Sequence, residues 1–427
     1  MMACCRALVR RTALTVVALQ MIGVSAVWAG GLGIYEVGST DLGTASAGRA
    51  ALAEDASTAW GNPAGMTRLA GSQLLIGLQP LIVTTEFDVG TRTTTSGTDG
   101  GNAGGFVPSG GIYGVYGILP DLKIGASLNS YVGGSLDYDS NWVGRFYTTE
   151  AELLTFNLNP VIAYRVLPWL SLGAGFSVQW AKLRSEVAIK NIDPDIGDGL
   201  LKYKDTNFGF GGNAGVLFEI DPRTRVGVTY RSPVDQSFDD APSFGQLGPG
   251  LQRVLQPIIG KPLSLDVTIP QEVMVSAYRD ITDALAVMAN FGWQNWSQFG
   301  QFSVALATDP PRTQAVDANF DDTFHGAVGM HYRLGEPTTL LLGFAYDSSS
   351  VTEPNRGAAL PVDQQFRFAG GVEYAVTDDY TLGLAYEYAS LGSAPIDTTR
   401  NQRAGTLQGD YSTNSLNVIS LTVSHRF

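Results

Sequence analysis

From residue 72 onward the chain alternates apolar and polar positions with a period of two. In the closing stretch ISLTVSHRF, Phe427, His425, Val423, Leu421 and Ile419 share one face of an extended strand. Arg426, Ser424, Thr422 and Ser420 share the other. That period belongs to strands. The alternating runs exceed the roughly 5–6 residues usual in soluble sheets. They suit a tilted crossing of a bilayer, which takes about 9–11 residues. The pattern predicts fourteen strands, at 72–89, 106–118, 122–138, 149–166, 170–189, 205–220, 226–239, 263–279, 285–303, 322–334, 338–349, 362–376, 380–391 and 412–427.

Short breaks alternate with long polar insertions. The short ones are LPD at 119–121, LPW at 167–169, DPRTR at 221–225, DITDA at 280–284, GEPTT at 335–339 and TDD at 377–379. The long ones include 90–105, 190–204, 240–262, 304–321, 350–361 and 392–411. Short periplasmic turns and long outer loops are expected of a bacterial outer-membrane barrel. An even strand number returns both barrel ends to the periplasmic side. The final strand then closes the barrel with Phe427 in the interfacial aromatic belt, leaving no edge open to lipid. A terminal aromatic also resembles the signal read by the barrel-assembly machinery, although His425 stands where that pattern more often has another aromatic.

Residues 30–71 break the pattern. They are rich in Gly and Ala, with short helix-like pieces such as AGRAALAEDAS. Two placements are open: a plug folded inside the lumen, or a disordered periplasmic leader. Trp60, Met66 and Leu69 are poor formers of disorder, and an unfilled lumen would leak, so the plug is the expectation.

The first 29 residues read as a signal peptide. Arg6, Arg10 and Arg11 precede the apolar stretch ALTVVALQMIGVSAVWA, and Val27 and Ala29 fit small-residue cleavage. An anchor helix is the alternative, but the run is short and holds Gln20 and Ser25. Both cysteines, Cys4 and Cys5, fall in this segment. The mature chain therefore has no disulfide, thiol nucleophile or cysteine metal site. Removing residues 1–29 takes away three arginines and no acid. It leaves 24 basic residues against 40 acidic ones, a formal charge of −16. Such a charge argues against nucleic acid as a partner. No other segment approaches the about 18 apolar residues of a helical span. An exported chain with 51 glycines, 17 tyrosines and 19 phenylalanines fits a barrel. A secreted β-solenoid or sandwich is the competitor.

The inventory is poor in catalytic chemistry, and no enzyme activity, metal or cofactor is expected. The only histidines are His325, His331 and His425. The first two share a strand face, but no carboxylate completes a metal site at that spacing. Asp137/Asp139, Asp239/Asp240 and Asp321/Asp322 read as solvated loop acids, bridged to lipopolysaccharide through divalent cations, rather than as a Ca²⁺ site.

The stretch GSTDLGTASAGRAALAEDASTAWGNPAGM resembles the N-terminal hatch of the outer-membrane long-chain fatty-acid transporters (FadL/TodX type), with its Asn-Pro-Ala motif at Asn62, Pro63 and Ala64. FGFGGNAGVLFEIDPRTRVGVTYRS at 208–232, IPQEVMVSAYRD with WSQF at 269–299, and ALPVDQQFRFAGGVEYAV at 359–376 are similar to the same family. The resemblance spans the mature chain in one order. It implies an all-β, fourteen-stranded antiparallel transmembrane barrel (72–427), plugged by a small hatch with short helices (30–71), after a signal peptide (1–29).

The resemblance also implies a route. Ligand is first caught in an apolar groove of outer loops, for which the amphipathic stretch 240–262 offers Leu251, Leu255 and Ile258; that loop packing on itself is the plain alternative. A tighter site follows at the hatch N-terminus, at Leu32 and Ile34. Lys182 or Arg184 lies where the family can carry a cation for a carboxylate. A second family cation, just after WSQF, is not matched, which leaves room for a neutral ligand. Exit is lateral, where strand three kinks inward; Gly133 and Gly134 suit such a bend, though an ordinary glycine-rich strand also fits. Each buried methylene is worth about 0.8 kcal/mol, so a sixteen-carbon chain prefers an apolar site over water by roughly 12 kcal/mol. Passive, monomeric uptake of long-chain fatty acids or similar compounds across the outer membrane is the expected function. Its partners are the ligand, outer-membrane lipid and lipopolysaccharide. The rivals are an aromatic or alkane hydrocarbon channel, a structural or adhesive surface barrel, and a polar porin, which the hatch opposes.

Overall fold

The computed structural model describes residues 33–193, 195–307, 312–401 and 404–427. The expected signal peptide and Leu32 lie outside the described residues. Fourteen strands run antiparallel to their neighbours. They are β1 (Gln73–Leu78, continued by Leu81–Val89), β2 (Phe106–Val107, Gly110–Leu119), β3 (Leu122–Asn129, Gly133–Asp137), β4 (Glu150–Leu167), β5 (Leu170–Ile189), β6 (Gly199–Asp221), β7 (Thr224–Arg231, Val234–Asp240), β8 (Leu263–Ile269, Glu272–Asp280), β9 (Leu285–Gln294, then Gln301–Leu306), β10 (Arg312–Asp317, Thr323–Gly335), β11 (Thr338–Asp347), β12 (Gln365–Ala375), β13 (Tyr380–Ser390) and β14 (Gly405–Arg426).

The barrel closes between its first and last strands, with Gln73 opposite Arg426 and Leu78 opposite Leu421. On its other side β14 pairs with β13, from Tyr380 opposite His425 to Ser390 opposite Ser415. The closing strand is thus held on both sides, and Phe427 exchanges backbone hydrogen bonds with Ser72 at 3.0 and 3.1 Å.

Alternation sorts the two faces. Leu172, Phe176, Phe210, Val328, Leu342, Leu384 and Leu421 are exposed on the outside; Ser171, Gln179, Asn213, Ser276, Asn290 and Thr422 are buried inside. An apolar exterior meets lipid chains without cost, and the polar interior finds partners in the lumen.

Several strands run further, or break sooner, than the alternation predicts. β6 begins at Gly199, opposite Ile189, which shortens the expected 190–204 loop. β14 begins at Gly405, whose positive φ of 71° turns the chain into a hairpin with Ile396–Asn401. Pro233 and Pro270 lack an N–H for the ladder, and strands β7 and β8 break beside them. Beyond the breaks, the outer segments of β7, β8, β9 and β10 form a separate four-stranded sheet. The expected 304–321 loop therefore contains strand.

Residues 33–71 fill the lumen. They form short turns at Thr40–Thr44 and Pro63–Arg68 and one turn of α-helix at Thr58–Gly61. Asn62 caps the second turn by accepting from the Ala64 N–H at 3.1 Å and donates to Ala50 O and Val216 O at 2.7 and 3.0 Å. One amide thus ties two hatch pieces to the wall of β6. Further bonds run from inward side chains: Asn290 Oδ1 accepts from Gly48 N at 2.7 Å, Ser276 Oγ from Ala50 N at 3.0 Å, and Arg225 donates to Ala51 O and Leu52 O at 2.6 and 2.5 Å. Where hatch backbone lies flat on the wall, the wall residue is glycine. A side chain at Gly215 would overlap Asn62, and one at Gly227 would overlap the Ala50 carbonyl.

Candidate functional site

Strand β3 is the irregular one. Its lower segment pairs with both neighbours, Gly111 opposite Asn129 and Asn129 opposite Asn157. Its upper segment, Gly133–Asp137, pairs only with β4 among the described residues. On the β2 side the ladder stops. In its place the hatch N-terminus comes in: Gly33 bridges Val132, and Ile34 N donates to Tyr131 O at 2.9 Å.

An apolar cavity of about 80 Å³ opens at this break. Ile34, Leu81, Val83, Val107, Gly133, Gly134, Leu136, Leu360, Val362 and Leu416 line it, with few polar neighbours. A second, small pocket of about 20 Å³ lies against Ile34, lined by Tyr131, Arg231, Pro270, Glu272, Gln294 and Trp296. Three residues the sequence singled out, Ile34, Gly133 and Gly134, therefore meet at one place.

Arg231 dominates the second pocket electrostatically. Its guanidinium lies 3.8 Å from the Trp60 ring and 5.2 Å from the Tyr131 ring, a cation–π seat. Glu272 pairs with it at 3.4 Å and also accepts from Gln294 at 2.8 Å; Gln294 in turn accepts from Trp296 at 2.7 Å. Buried Arg231 Nε has no hydrogen-bond partner. An unpaired buried donor of this kind favours an incoming acceptor. Arg231 was missed from sequence, yet its signal was present: Val226, Val228 and Tyr230 set the outward phase of β7, which turns Arg225 and Arg231 inward.

The expectation that Lys182 or Arg184 faces the lumen is corrected by the geometry. Both share the phase of Leu172, Phe176 and Trp180, which points away from the lumen, while Ala181 and Leu183 point inward and are buried. Lys182 pairs with Glu152, and Arg184 pairs with Glu150 at 2.8 Å. Leu251, Leu255 and Ile258 are buried, the first two on the outer-loop helix Pro249–Leu255. They belong to one contiguous apolar cluster that also holds Phe302, Trp296, Trp60 and Leu360, and against which Ile34 packs. Outer loop, hatch tip and strand-three break are thus joined by apolar contact. Asn62, Pro63 and Ala64 sit far below, against β6 and β5, as hatch framework.

Two of the three histidines meet the N-terminal segment. His325 contacts Ser46 at 3.1 Å and Asp347 at 2.8 Å; His331 faces Glu54 at 3.6 Å.

A lipid-facing barrel whose N-terminal segment packs on the inward faces of its strands, with an apolar tract leading to a break in the wall, is an outer-membrane barrel. The chain belongs to the outer membrane protein transport protein family (OMPP1/FadL/TodX), whose model matches residues 20–427. It is 27% identical over 404 residues to the long-chain fatty acid transport protein of Escherichia coli, covering 87% of this chain and 89% of that one. Its fold is similar to that of a Pseudomonas aeruginosa FadL homologue, with a TM-score of 0.83 at 20% identity over 93% of this chain and 100% of the other. The Ralstonia pickettii toluene transporter TbuX shares the fold with a TM-score of 0.63 at 19% identity, over 87% of this chain and 94% of the other. The protein is an outer-membrane protein, and its relatives are transport proteins rather than enzymes.

Proposed function

We propose that the protein takes up long-chain amphiphiles, with fatty acids as the leading substrate, by passive diffusion through the hatch tip and out sideways at strand three. One observation carries this reading: Ile34 lines both the polar pocket at Arg231 and the apolar cavity at Gly133 and Gly134. A ligand lying across Ile34 would set a polar head toward Arg231 Nε and Gln294 and an alkyl chain toward the break. Leu251, Leu255 and Ile258 form the outer end of the apolar tract, where capture from the loops would begin. Leu32 stays in this proposal as the expected neighbour of Ile34. Movement of residues 33–34 off strand β3 would remove the Gly33–Val132 bridge and widen the exit.

A second reading rests on the Arg231–Glu272 pair. The two charges cancel, so the pocket carries no net positive charge, which suits a neutral hydrocarbon. Binding of labelled palmitate and labelled toluene to the purified barrel separates the two readings. The probes are the wild type, Arg231→Gln/Glu272→Gln and Ile34→Asp. For a fatty-acid transporter, the double variant weakens palmitate about tenfold and leaves toluene unchanged, as loss of a charge-assisted hydrogen bond of about 1.5 kcal/mol requires. Saturable toluene binding indifferent to the double variant, without palmitate binding, moves the function to hydrocarbon uptake. Binding of both ligands that survives Ile34→Asp would sink the site.

A further inference from the structure

The outward placement of Lys182 and Arg184 leaves a cluster of charge that the transport route does not use. On the outer face of β4, β5 and β6 the register sets Glu152 beside Arg184 and Arg184 beside Lys204. The next rung sets Glu150 beside Glu186 and Glu186 beside Lys202. Lys182 lies one rung lower, opposite Leu154 and Thr206.

The height of this ladder follows from the strand. Trp169, in the lower turn, and Trp180 are eleven positions apart. At about 3.3 Å per residue and a tilt near 40° they are roughly 28 Å apart along the membrane normal, close to the about 25 Å of a barrel's apolar band. Trp180 also packs on outward Phe156 at 5.9 Å and lies opposite Phe208, a local aromatic belt. Lys182 and Arg184 then stand about 5 and 10 Å above that belt, among headgroups. The long loops lie at this end, so the leaflet is the outer one.

The charges are not equally presented. The side chains of Arg184 and Lys202 are 41% and 48% exposed, against 13% and 18% for their partners Glu150 and Glu186. Lys204 is exposed and has no carboxylate within ion-pair distance among the described residues. Glu150 and Glu186 are covered while Arg184, Lys202 and Lys204 look outward, and exposed Asp137 on β3 borders the patch opposite Glu150. Elsewhere on the strands of this rim exposed acids stand at Glu86 and Asp88 on β1, Asp235 and Asp239 on β7 and Asp266 on β8, while exposed cations lie in the outer loops at Arg92, Lys190, Arg253 and Lys261. In a chain of formal charge −13, four cations on two adjacent strands are a local concentration of positive charge.

The geometry points to a binding site for the phosphates of lipopolysaccharide on the outer face of β4–β6. Arg184, Lys202 and Lys204 receive phosphate oxygens, and Glu150 and Glu186 hold two of those cations against the wall. Guanidinium and ammonium groups are the side chains that form charge-assisted bonds to phosphate.

The test uses the full barrel in detergent, with native mass spectrometry of added bisphosphorylated lipid A, its dephosphorylated form and phosphatidylglycerol. The wild type binds bisphosphorylated lipid A about tenfold more tightly than either of the other two, and Arg184→Ala/Lys202→Ala/Lys204→Ala loses about that factor. Heat-modifiable gel mobility confirms that the variant barrel is folded. Glu150→Gln/Glu186→Gln removes the pairing but keeps the cations; lipid A binding persists if the cations form the site and falls if the ladder only stiffens the wall. Equal binding of phosphorylated and dephosphorylated lipid A, equal binding of phosphatidylglycerol, or a triple variant that binds like the wild type each overturns the proposal.

Discussion

Residues 35–68 and residues 33–34 belong to one N-terminal segment but are held in different ways. The lower part lies on glycines of the wall and is sewn to it by Asn62, Asn290, Ser276 and Arg225 through backbone bonds. Residues 33–34 are held by the Gly33–Val132 bridge and the Ile34–Tyr131 bond alone. From Tyr35 on the segment is buried, with Val37 and Gly38 against wall glycines Gly111 and Gly77, Gly38 N donating to Gln79 Oε1 at 2.6 Å and Glu36 paired with Arg367 at 3.5 Å. The 33–34 strip borders the apolar cavity at Ile34. Close packing against main chain leaves no low-cost displacement, whereas a strip beside empty space can leave its bonds one at a time. The difference teaches where a movable element can sit in a filled barrel: at the upper tip, next to the break in β3.

The comparison breaks most severely if the lower hatch can be unseated. Gly227→Val forces a side chain into the Ala50 carbonyl, an overpacking cost of about 1–3 kcal/mol or more that the hatch can escape only by leaving the wall. A steady open-channel conductance should appear in planar bilayers where the wild type shows little. An unchanged, closed trace would mean that the hatch is not what fills the conducting path.

Next in size is Arg225→Met. It strips two carbonyls, Ala51 O and Leu52 O, of a charged donor and leaves Glu54 without its 3.1 Å partner. The loss is about 3 kcal/mol of local stability. Hydrogen exchange at residues 50–54 should speed up while exchange at β14 stays protected. Uniform loss across the barrel would show that hatch and wall unfold as one unit.

The smallest expected effect concerns the break itself. Gly133→Val/Gly134→Val adds side chains to an extended segment and should change barrel stability by no more than about 1 kcal/mol. Both glycines line the apolar cavity, so palmitate binding to the purified protein should weaken, and palmitate uptake into cells should fall further than binding does. Uptake that falls only in proportion to binding would leave these glycines as cavity lining with no part in an exit.

Most of the barrel was legible because its signal is local. A strand that meets lipid on one side and lumen on the other writes its period directly into the chain, and the short and long connections name the two membrane sides. The misplacement of Lys182 and Arg184 came from weighing position along the strand above phase. Phase was readable: Trp180, Val178 and Phe176 share it, and a cation in step with lipid-facing aromatics cannot face the lumen. Arg231 was readable by the same rule. The extended β6 and the hairpin ahead of β14 were harder, since polar residues such as Lys202 and Gln408 continue strands above the membrane, where alternation is no longer imposed by lipid.

The sequence by itself determined the class, the strand order, the two faces and the existence of a segment foreign to the barrel, since each rests on spacing within a few residues. Only the tertiary structure decided that Ile34, Gly133 and Arg231 share one site. Roughly a hundred residues separate each from the next, and their meeting depends on barrel closure, on the break that ends β2–β3 pairing, and on how far the hatch tip rises in the lumen. None of these leaves a period in the chain.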